Sequence, residues 1–202
     1  MSDNFPDRSS LDRLAYSQQG YFTARQAGER GFSPQLLAHH ARTGPFERVR
    51  HGLYRLRYYP ASPYDQVWMS WLMVGAERSV ISHESALDLL GLSDVLPNAV
   101  HLLVERRERG VHVPEGAVLH TTATPLNPAE VVTRQGIRVT SPARTIIDTA
   151  ASRLAPEHLA AAAREALERA LVTRRSLLSR AEQRGRQTDK RVREAIEMGE
   201  TK

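Results

Sequence analysis

The side chains best suited to contacting nucleic acid bases lie on one short stretch of this sequence. Gln35 and Arg42 each offer paired hydrogen-bonding groups that match base edges, and His39 can donate to a base or a phosphate. Their spacing of four and three residues places all three on one face of a helix that would begin at Pro34. The pattern predicts a helix whose outer face enters a DNA groove.

Capping signals place this helix second in a helix-turn-helix. Thr23 and Gln26 have capping-box spacing, which predicts a first helix that ends at Gly31. Ser33 offers a second cap, and Pro34 suits the first helical position because its missing N–H needs no partner there. Two short helices joined by a tight glycine-containing turn form a helix-turn-helix, whose second helix enters the major groove.

The remaining helical signals predict the core of this module. The second helix should run to about Thr43, because the following Gly-Pro pair stops it. Leu37 and Ala41 lie four residues apart and are expected to face the first helix. A third helix, over about residues 10–19, has apolar residues at helical spacing and supplies the rest of the core.

An alternating basic segment after Pro45 predicts a β-hairpin with His51 and Gly52 at its turn. Such a hairpin is the wing of a winged helix, which meets phosphates or an adjacent minor groove. Residues 21–57 hold seven Arg against two Glu, a balance of +5 that equals the net charge of the chain. The alternative is an Arg-rich solvated surface on an unrelated helical pair. The predicted DNA-contacting residues are Thr23, Arg25, Ser33, Gln35, His39, Arg42, Arg48, Arg50, His51 and Arg55.

The rest of the chain predicts a small mixed α+β domain. Residues 58–63 break regular structure, so the expected domains are a winged helix-turn-helix over residues 1–59 and an α+β domain over residues 60–202. A helix begun by Ser62 and Pro63 carries Trp68 and Trp71, which are assigned to packing between the domains. The later pattern predicts one sheet with helices on one side. Its strands are expected at residues 80–81, 99–105, 117–121, 131–132 and 137–140, and its helices after Ser82, Ser141 and Ala155.

The C-terminal tail is strongly basic. Residues 174–193 hold eight basic side chains against Glu182 and Asp189, a balance of +6. Thr173 should cap a helix through about Gln183, and residues 185–190 are expected to form a flexible joint. The tail is either a solvated basic face or a second contact, to flanking DNA or to an acidic partner.

Catalytic patterns are weak. His83, His101 and His120 could meet in the fold, but they lie on three separate elements without a metal-binding spacing, so no metal or other cofactor is expected. There is no G-x-S-x-G, Walker or dinucleotide motif. The serines that a hydrolase would need are better explained as helix caps or first-turn residues: Ser82, Ser85 and Ser141.

A Mg²⁺-dependent nuclease is the remaining catalytic alternative. Asp94 precedes Glu105, which is followed by Arg107, in a loose imitation of an acid, acid-x-Lys arrangement. Arg is a poor substitute for Lys because it cannot give up a proton to help activate water. The sequence therefore favours a binding protein over an enzyme.

Composition narrows the cellular setting. The chain has no cysteine, which excludes disulfide scaffolds and thiol catalysis and fits a reducing compartment. The segment MSDNFPDRSS lacks the features of a signal peptide. No apolar run approaches the roughly 20 residues that cross a bilayer. A cytoplasmic protein without membrane contact is expected.

Several motifs, taken in order, resemble the AbiEi family of bacterial antitoxins. They are GYFTARQAGERGFSPQLL, GPFERVRHGLY, SHESAL, VHL at residues 100–102, LH at residues 119–120 and PARTIID. The resemblance covers roughly residues 20–171. Pro45 and Phe46 depart from the basic or aliphatic residues expected there, and the tail after Leu171 does not match.

The resemblance implies a winged-helix protein that represses its own type IV toxin-antitoxin operon. Its DNA partner would be double-stranded promoter DNA with repeats. Its second domain would counteract a nucleotidyltransferase-type toxin, with or without a stable complex. A stand-alone transcriptional repressor is the alternative that the residues leave open.

Overall fold

The computed structural model describes residues 5–152 and 154–200, in two compact units. Unit 1 comprises Met1–Glu77 with His112–Pro114, and unit 2 comprises Arg78–Val111 with Glu115–Lys202. The first four residues of the segment predicted not to be a signal peptide lie outside the described residues. The predicted α+β class, with an N-terminal winged helix-turn-helix, is confirmed.

Unit 1 combines four helices with a small antiparallel sheet of order β1-β3-β2. The helices are α1 (Arg8–Ser17), α2 (Ala24–Gly28), α3 (Pro34–Thr43) and α4 (Asp65–Val74), and the strands are β1 (Tyr21–Thr23), β2 (Phe46–Arg50) and β3 (Leu53–Leu56). Helices α2 and α3 form the predicted helix-turn-helix, and β2 with β3 forms the predicted wing.

Helix α2 has the predicted capping box but ends earlier than expected. The Thr23 hydroxyl accepts from the Gln26 backbone N–H at 3.2 Å, and the Gln26 side chain accepts from the Thr23 N–H at 2.9 Å. The helix stops at Gly28 and not at Gly31, because the Phe32 N–H returns to the Ala27 carbonyl at 3.1 Å around a left-handed Gly31.

Strand β1 was not predicted. It is only three residues long, and it pairs Tyr21 with Arg55 on β3. Pairing brings Phe22 into the core, where its ring lies edge-on to Phe46 with a centroid distance of 4.9 Å. Leu11 and both of these rings are fully buried, so α1, β1 and the wing share one core.

Helix α4 belongs to unit 1. Its start is later than predicted, because Ser62 caps a turn: its hydroxyl accepts from the Tyr64 N–H and its own N–H donates to Asp65. Trp68 and Trp71 are buried, and α4 packs on β1 and β3. The boundary expected after residue 59 therefore falls inside a compact unit that continues to Glu77.

Unit 2 contains a five-stranded mixed sheet of order β6-β5-β4-β8-β7. Its strands are β4 (Ser79–Ile81), β5 (Val100–Glu105), β6 (Ala117–Thr122), β7 (Val131–Arg134) and β8 (Ile137–Thr140), close to the predicted positions. Its helices are α5 (His83–Leu90), α6 (Pro142–Ala151), α7 (Pro156–Glu168), α8 (Arg174–Arg184) and α9 (Arg186–Glu200). The pairs β4–β8 and β5–β6 are parallel, and β4–β5 and β7–β8 are antiparallel.

The prediction of a flexible joint after α8, over residues 185–190, is wrong. Thr173 caps α8 as expected, but after a break at Gly185 the chain continues at once as α9. Val192 and Ile196 of α9 are buried, and the helix packs on α7 and α8. The Arg191 guanidinium donates to the Ala150 carbonyl at 2.9 Å and also to the carbonyls of Ser152 and Leu154, so part of the basic tail is structural. Among the described residues, no helix is long and apolar enough to cross a membrane.

Candidate nucleic-acid interface

Helix α3 separates a buried face from an exposed polar face, as predicted. Ser33 caps it, with the hydroxyl accepting from the Leu36 N–H at 3.2 Å. Leu37 is buried in the core of unit 1, and Ala41 packs against that core. The exposed side carries the predicted base-reading residues together with Ala38: Gln35, His39 and Arg42. None of these three has a hydrogen-bonded or charged side-chain partner among the residues that the structure describes.

The wing presents Arg48, Arg50 and His51 to solvent. The register between β2 and β3 shifts between Arg48 and Arg50, which is a bulge in the strand. Gly52 has a φ of +72° at the turn. The Arg48 guanidinium lies 2.9 Å from Nδ1 of His51, which orients the two side chains together at the hairpin tip.

Arg55 does not belong to this exposed set. Its side chain is 15% exposed and donates to the Pro60 carbonyl at 2.7 Å. The guanidinium also pairs with Asp65 at 3.3 Å and lies 4.8 Å from the centre of the Tyr21 ring. These contacts join β3 to the start of α4, so Arg55 is a scaffold residue and is removed from the candidate interface.

Two further arginines of the basic module are also structural. Arg57 donates to the carbonyls of Ala41 and Gly44 at the end of α3, at 2.9 Å and 3.0 Å. Arg30 donates to the Gln26 carbonyl at 2.8 Å. Both charges entered the +5 balance of residues 21–57, but neither residue was among the predicted DNA-contacting residues. The partners of Arg57 lie 13 and 16 residues away along the chain, so no local pattern indicates them.

Thr23 and Arg25 lie at the start of α2. The Thr23 hydroxyl accepts one hydrogen bond in the capping box. Its O–H donor and its second lone pair remain for a ligand. Arg25 pairs with Glu29 at 3.3 Å and with Glu77 at 2.8 Å, yet its side chain stays 64% exposed. Exposed ion pairs of this kind are weak, so a phosphate can compete for the guanidinium.

In unit 2, the three histidines considered for metal binding do meet. The His120 ring stacks on His83 at a centroid distance of 3.6 Å, and its Nε2 lies 2.9 Å from Nδ1 of His101. The rings stack or hydrogen-bond to one another and do not converge on a common point. Among the residues described, no group of three or more His, Cys, Asp and Glu side chains is arranged to hold a metal ion. Glu105, from the nuclease alternative, is paired with Arg107 at 2.8 Å.

A network of charged side chains links α6 and α8 with Glu130, and the Arg144–Asp148 pair is its buried part. Arg144 donates to Asp148 at 2.8 Å and to Glu130 at 3.2 Å. Arg184 and Arg180 of α8 add longer pairs, to Asp148 at 3.6 Å and to Glu130 at 3.5 Å. Burial raises the pKa of the Asp148 carboxyl, an effect that the charge and hydrogen bond of Arg144 oppose.

The histidines of unit 2 are expected to make its free energy of unfolding depend on pH. Burial, assisted by the neighbouring histidines, lowers the pKa of His83 to about 2 and that of His120 to about 4. The unfolded chain takes up protons near pH 6.5 while the folded chain does not. The free energy of unfolding is therefore expected to fall between pH 7 and pH 5, by at most about 1.4 kcal/mol per pH unit for each histidine.

The His83→Asn variant tests this expectation, because asparagine does not titrate and tolerates the φ of +51° at this position. Urea unfolding at pH 7 and pH 5 should give a smaller pH dependence for the variant than for the wild type. The raised pKa of Asp148 makes the free energy of unfolding change with pH in the opposite direction. Asp148 is present in both proteins, so the difference between their pH dependences reports His83. A His83 ring proton that titrates near pH 6.5 by NMR would contradict the assignment.

Comparisons with known proteins assign both units to one family. Residues 9–57 match a family model described as "Transcriptional regulator, AbiEi antitoxin", and residues 79–198 match one described as "AbiEi antitoxin C-terminal domain". A comparison with curated protein sequences finds no match.

A solved structure shares the fold. The crystal structure of the RV2827C protein from Mycobacterium tuberculosis aligns with a TM-score of 0.61 and 16% identity, over 94% of this chain and 75% of that one. The second family match alone covers more than half of the chain. The chain therefore belongs to the AbiEi family of antitoxins, with a transcriptional-regulator module in unit 1 and the antitoxin C-terminal domain in unit 2.

Proposed function

We propose that this protein binds its own promoter through unit 1 and represses the operon that encodes it. The supporting observation is the outer face of α3, where Gln35, His39 and Arg42 are exposed beside a basic wing. Gln and Arg can pair with base edges in the major groove. A ten-residue helix held by the core of unit 1 can present them without further rearrangement.

In this proposal the remaining contacts go to the DNA backbone. Arg48, Arg50 and His51 on the wing meet phosphates or the adjacent minor groove. Ser33 at the start of α3, and Thr23 with Arg25 at the start of α2, contact phosphates near the helix ends. These positions carry little sequence information, so they set affinity and register while α3 sets the operator sequence.

We further propose that unit 2 counteracts a nucleotidyltransferase-type toxin, with or without a stable complex. The family match over residues 79–198 supports this assignment. Promoter DNA and the toxin are then the two partners of the chain, and each uses a different unit.

The DNA proposal is tested by fluorescence anisotropy with a promoter duplex and a scrambled duplex of the same length. Gln35→Ala is expected to weaken binding to the promoter by about 5- to 150-fold, which corresponds to roughly 1 to 3 kcal/mol, and to leave the scrambled duplex almost unaffected. Arg48→Ala should weaken binding to both duplexes, and it should reduce the slope of log affinity against log salt concentration by about one unit.

Arg13→Ala is the matched control for charge, because Arg13 is exposed on α1 within the same unit. It should leave both affinities close to those of the wild type. If the wild type binds the promoter and the scrambled duplex equally, the proposal of operator recognition fails.

A further inference from the structure

A cavity of about 410 Å³ opens beside the stacked histidines of unit 2. We call it the histidine cavity, and its polar lining residues are His83, His120, Thr121, Asp148, Ser152 and Arg184. Its volume falls in the range of small-molecule sites. A smaller cavity of about 150 Å³, lined by Arg144, Arg180 and Arg184 among others, shares Arg184 with it.

One carboxylate fixes the direction of the histidine hydrogen bonds. Glu84 can only accept, and its Oε2 lies 3.3 Å from Nε2 of His101, so we assign the ring proton of His101 to Nε2. Because burial lowers the pKa of His101, the ring is neutral and its Nδ1 must accept. His120 then donates from Nε2 across the 2.9 Å contact, and its Nδ1 keeps a lone pair.

That lone pair is available to a ligand. Nδ1 of His120 has no hydrogen-bond partner within residues 5–152 and 154–200, and the ring lines the cavity. His83 holds the other ring in place by stacking, with its own Nδ1 2.9 Å from the Ser82 hydroxyl. His83 also has a left-handed backbone, a strained conformation that is often found at functional sites.

The arginines near the cavity favour an anionic group on the ligand, whereas His120 offers a hydrogen-bond acceptor. Within the part of the chain that the structure describes, Arg144, Arg180 and Arg184 pair with two carboxylates, Glu130 and Asp148, which leaves one positive charge in excess. Nη2 of Arg144 is buried and has no hydrogen-bond partner among the described residues. Arg184 is held only by a 3.6 Å contact and is 46% exposed, so it can turn toward an anion.

We propose that the two cavities form one binding site for a small oxyanion-bearing ligand. Its phosphoryl or carboxylate group contacts Arg184, and a hydroxyl or amine on its body donates to Nδ1 of His120. The proposed ligand carries both groups on one molecule, because Arg184 and His120 line the same cavity. The site would make the antitoxin unit responsive to a small metabolite of that chemistry.

The test titrates the full-length protein with two probes that carry both groups, ribose 5-phosphate and glycerate. Ribose supplies donors alone, and inorganic phosphate supplies the anion alone. Imidazole nitrogen NMR reports Nδ1 of His120. Saturable shifts at this atom are expected with at least one bifunctional probe, which should bind more tightly than ribose or phosphate. The two bifunctional probes distinguish a phosphoryl ligand from a carboxylate ligand.

Variants assign the two contacts. Arg184→Gln should weaken binding of the bifunctional probe by about tenfold or more. Arg186 is exposed nearby and lines neither cavity, so Arg186→Gln should leave this binding unchanged. His120→Asn keeps an acceptor near the position of Nδ1 and should bind more tightly than His120→Leu. Absence of saturable shifts in the wild type would overturn the proposal. Inorganic phosphate that binds as tightly as ribose 5-phosphate would also overturn it, because His120 would then contribute nothing.

Discussion

Replacing Asp148 with alanine is expected to lower the free energy of unfolding by about 3 kcal/mol. The Asp148 side chain is 2% exposed and that of Arg144 is 11% exposed. Removing the carboxylate leaves the Arg144 guanidinium buried, with an Nη2 that already lacks a hydrogen-bond partner among the residues described. The expected loss lies at the low end of the range for broken buried pairs, because Glu130 still accepts from Arg144 at 3.2 Å. Urea unfolding at pH 7 measures it.

Glu194→Ala provides the matched control. Lys190 and Glu194 have the same four-residue spacing, but their side chains are 76% and 56% exposed at a distance of 3.7 Å. Such a pair is expected to contribute less than about 0.5 kcal/mol. The double variant Arg144→Met with Asp148→Leu should recover much of the loss, because neither buried position then carries a charge. Glu130 keeps Arg180 at 3.5 Å, and Arg184 is 46% exposed to solvent. Equal losses in Asp148→Ala and Glu194→Ala would show that burial is not the cause.

Local signals in the sequence predicted the helix-turn-helix that carries the candidate interface. Capping residues and Pro34 defined the helix-turn-helix, since each signal acts within a few residues of its own helix end. The scaffold role of Arg55 could not be predicted in the same way. Its partners, Pro60 and Asp65, are brought to it by the turn before α4, and neither is at a spacing that indicates pairing.

In unit 2 too, contacts between residues far apart in the chain could not be predicted from local patterns. Arg144 and Asp148 have the four-residue spacing at which helix side chains pair, but their network also includes Arg184 of α8, which comes from a distant part of the chain. Likewise, His120 reaches the other histidines through the parallel pairing of β5 with β6, which places it opposite Leu103. Strand order is set by the whole domain and not by any one segment.

Helix α9 was missed although the sequence carried a signal for it. Thr188, Val192 and Ala195 recur at helical spacing, and Ile196 and Gly199 continue the same face. Gly185 and the polar residues after it were interpreted as a flexible joint. A single glycine between two amphipathic patterns fits a break between consecutive helices equally well, and the buried face of α9 decides between them.

Replacing Arg42, Arg48 and Arg50 together with alanine is expected to abolish repression and to preserve neutralisation of the toxin. All three side chains lie on the exposed surface of unit 1. Exposed substitutions usually change stability by less than about 0.5 kcal/mol each, so the fold should remain intact. Losing two phosphate contacts and one base contact should weaken promoter binding by at least about 100-fold at physiological salt. A promoter-reporter assay and a toxin co-expression assay in the same cells measure the two activities.

The charge-matched control replaces Arg106, Arg109 and Arg134, which are exposed in unit 2, and it should keep repression. This control separates loss of the interface from loss of net positive charge, because both proteins carry three fewer charges. If the unit 1 variant instead loses repression and neutralisation while circular dichroism shows a folded protein, the two activities are not divided between the units. Binding of DNA or of the operon RNA would then have to be a step in neutralisation, since no change was made in the domain that is proposed to oppose the toxin.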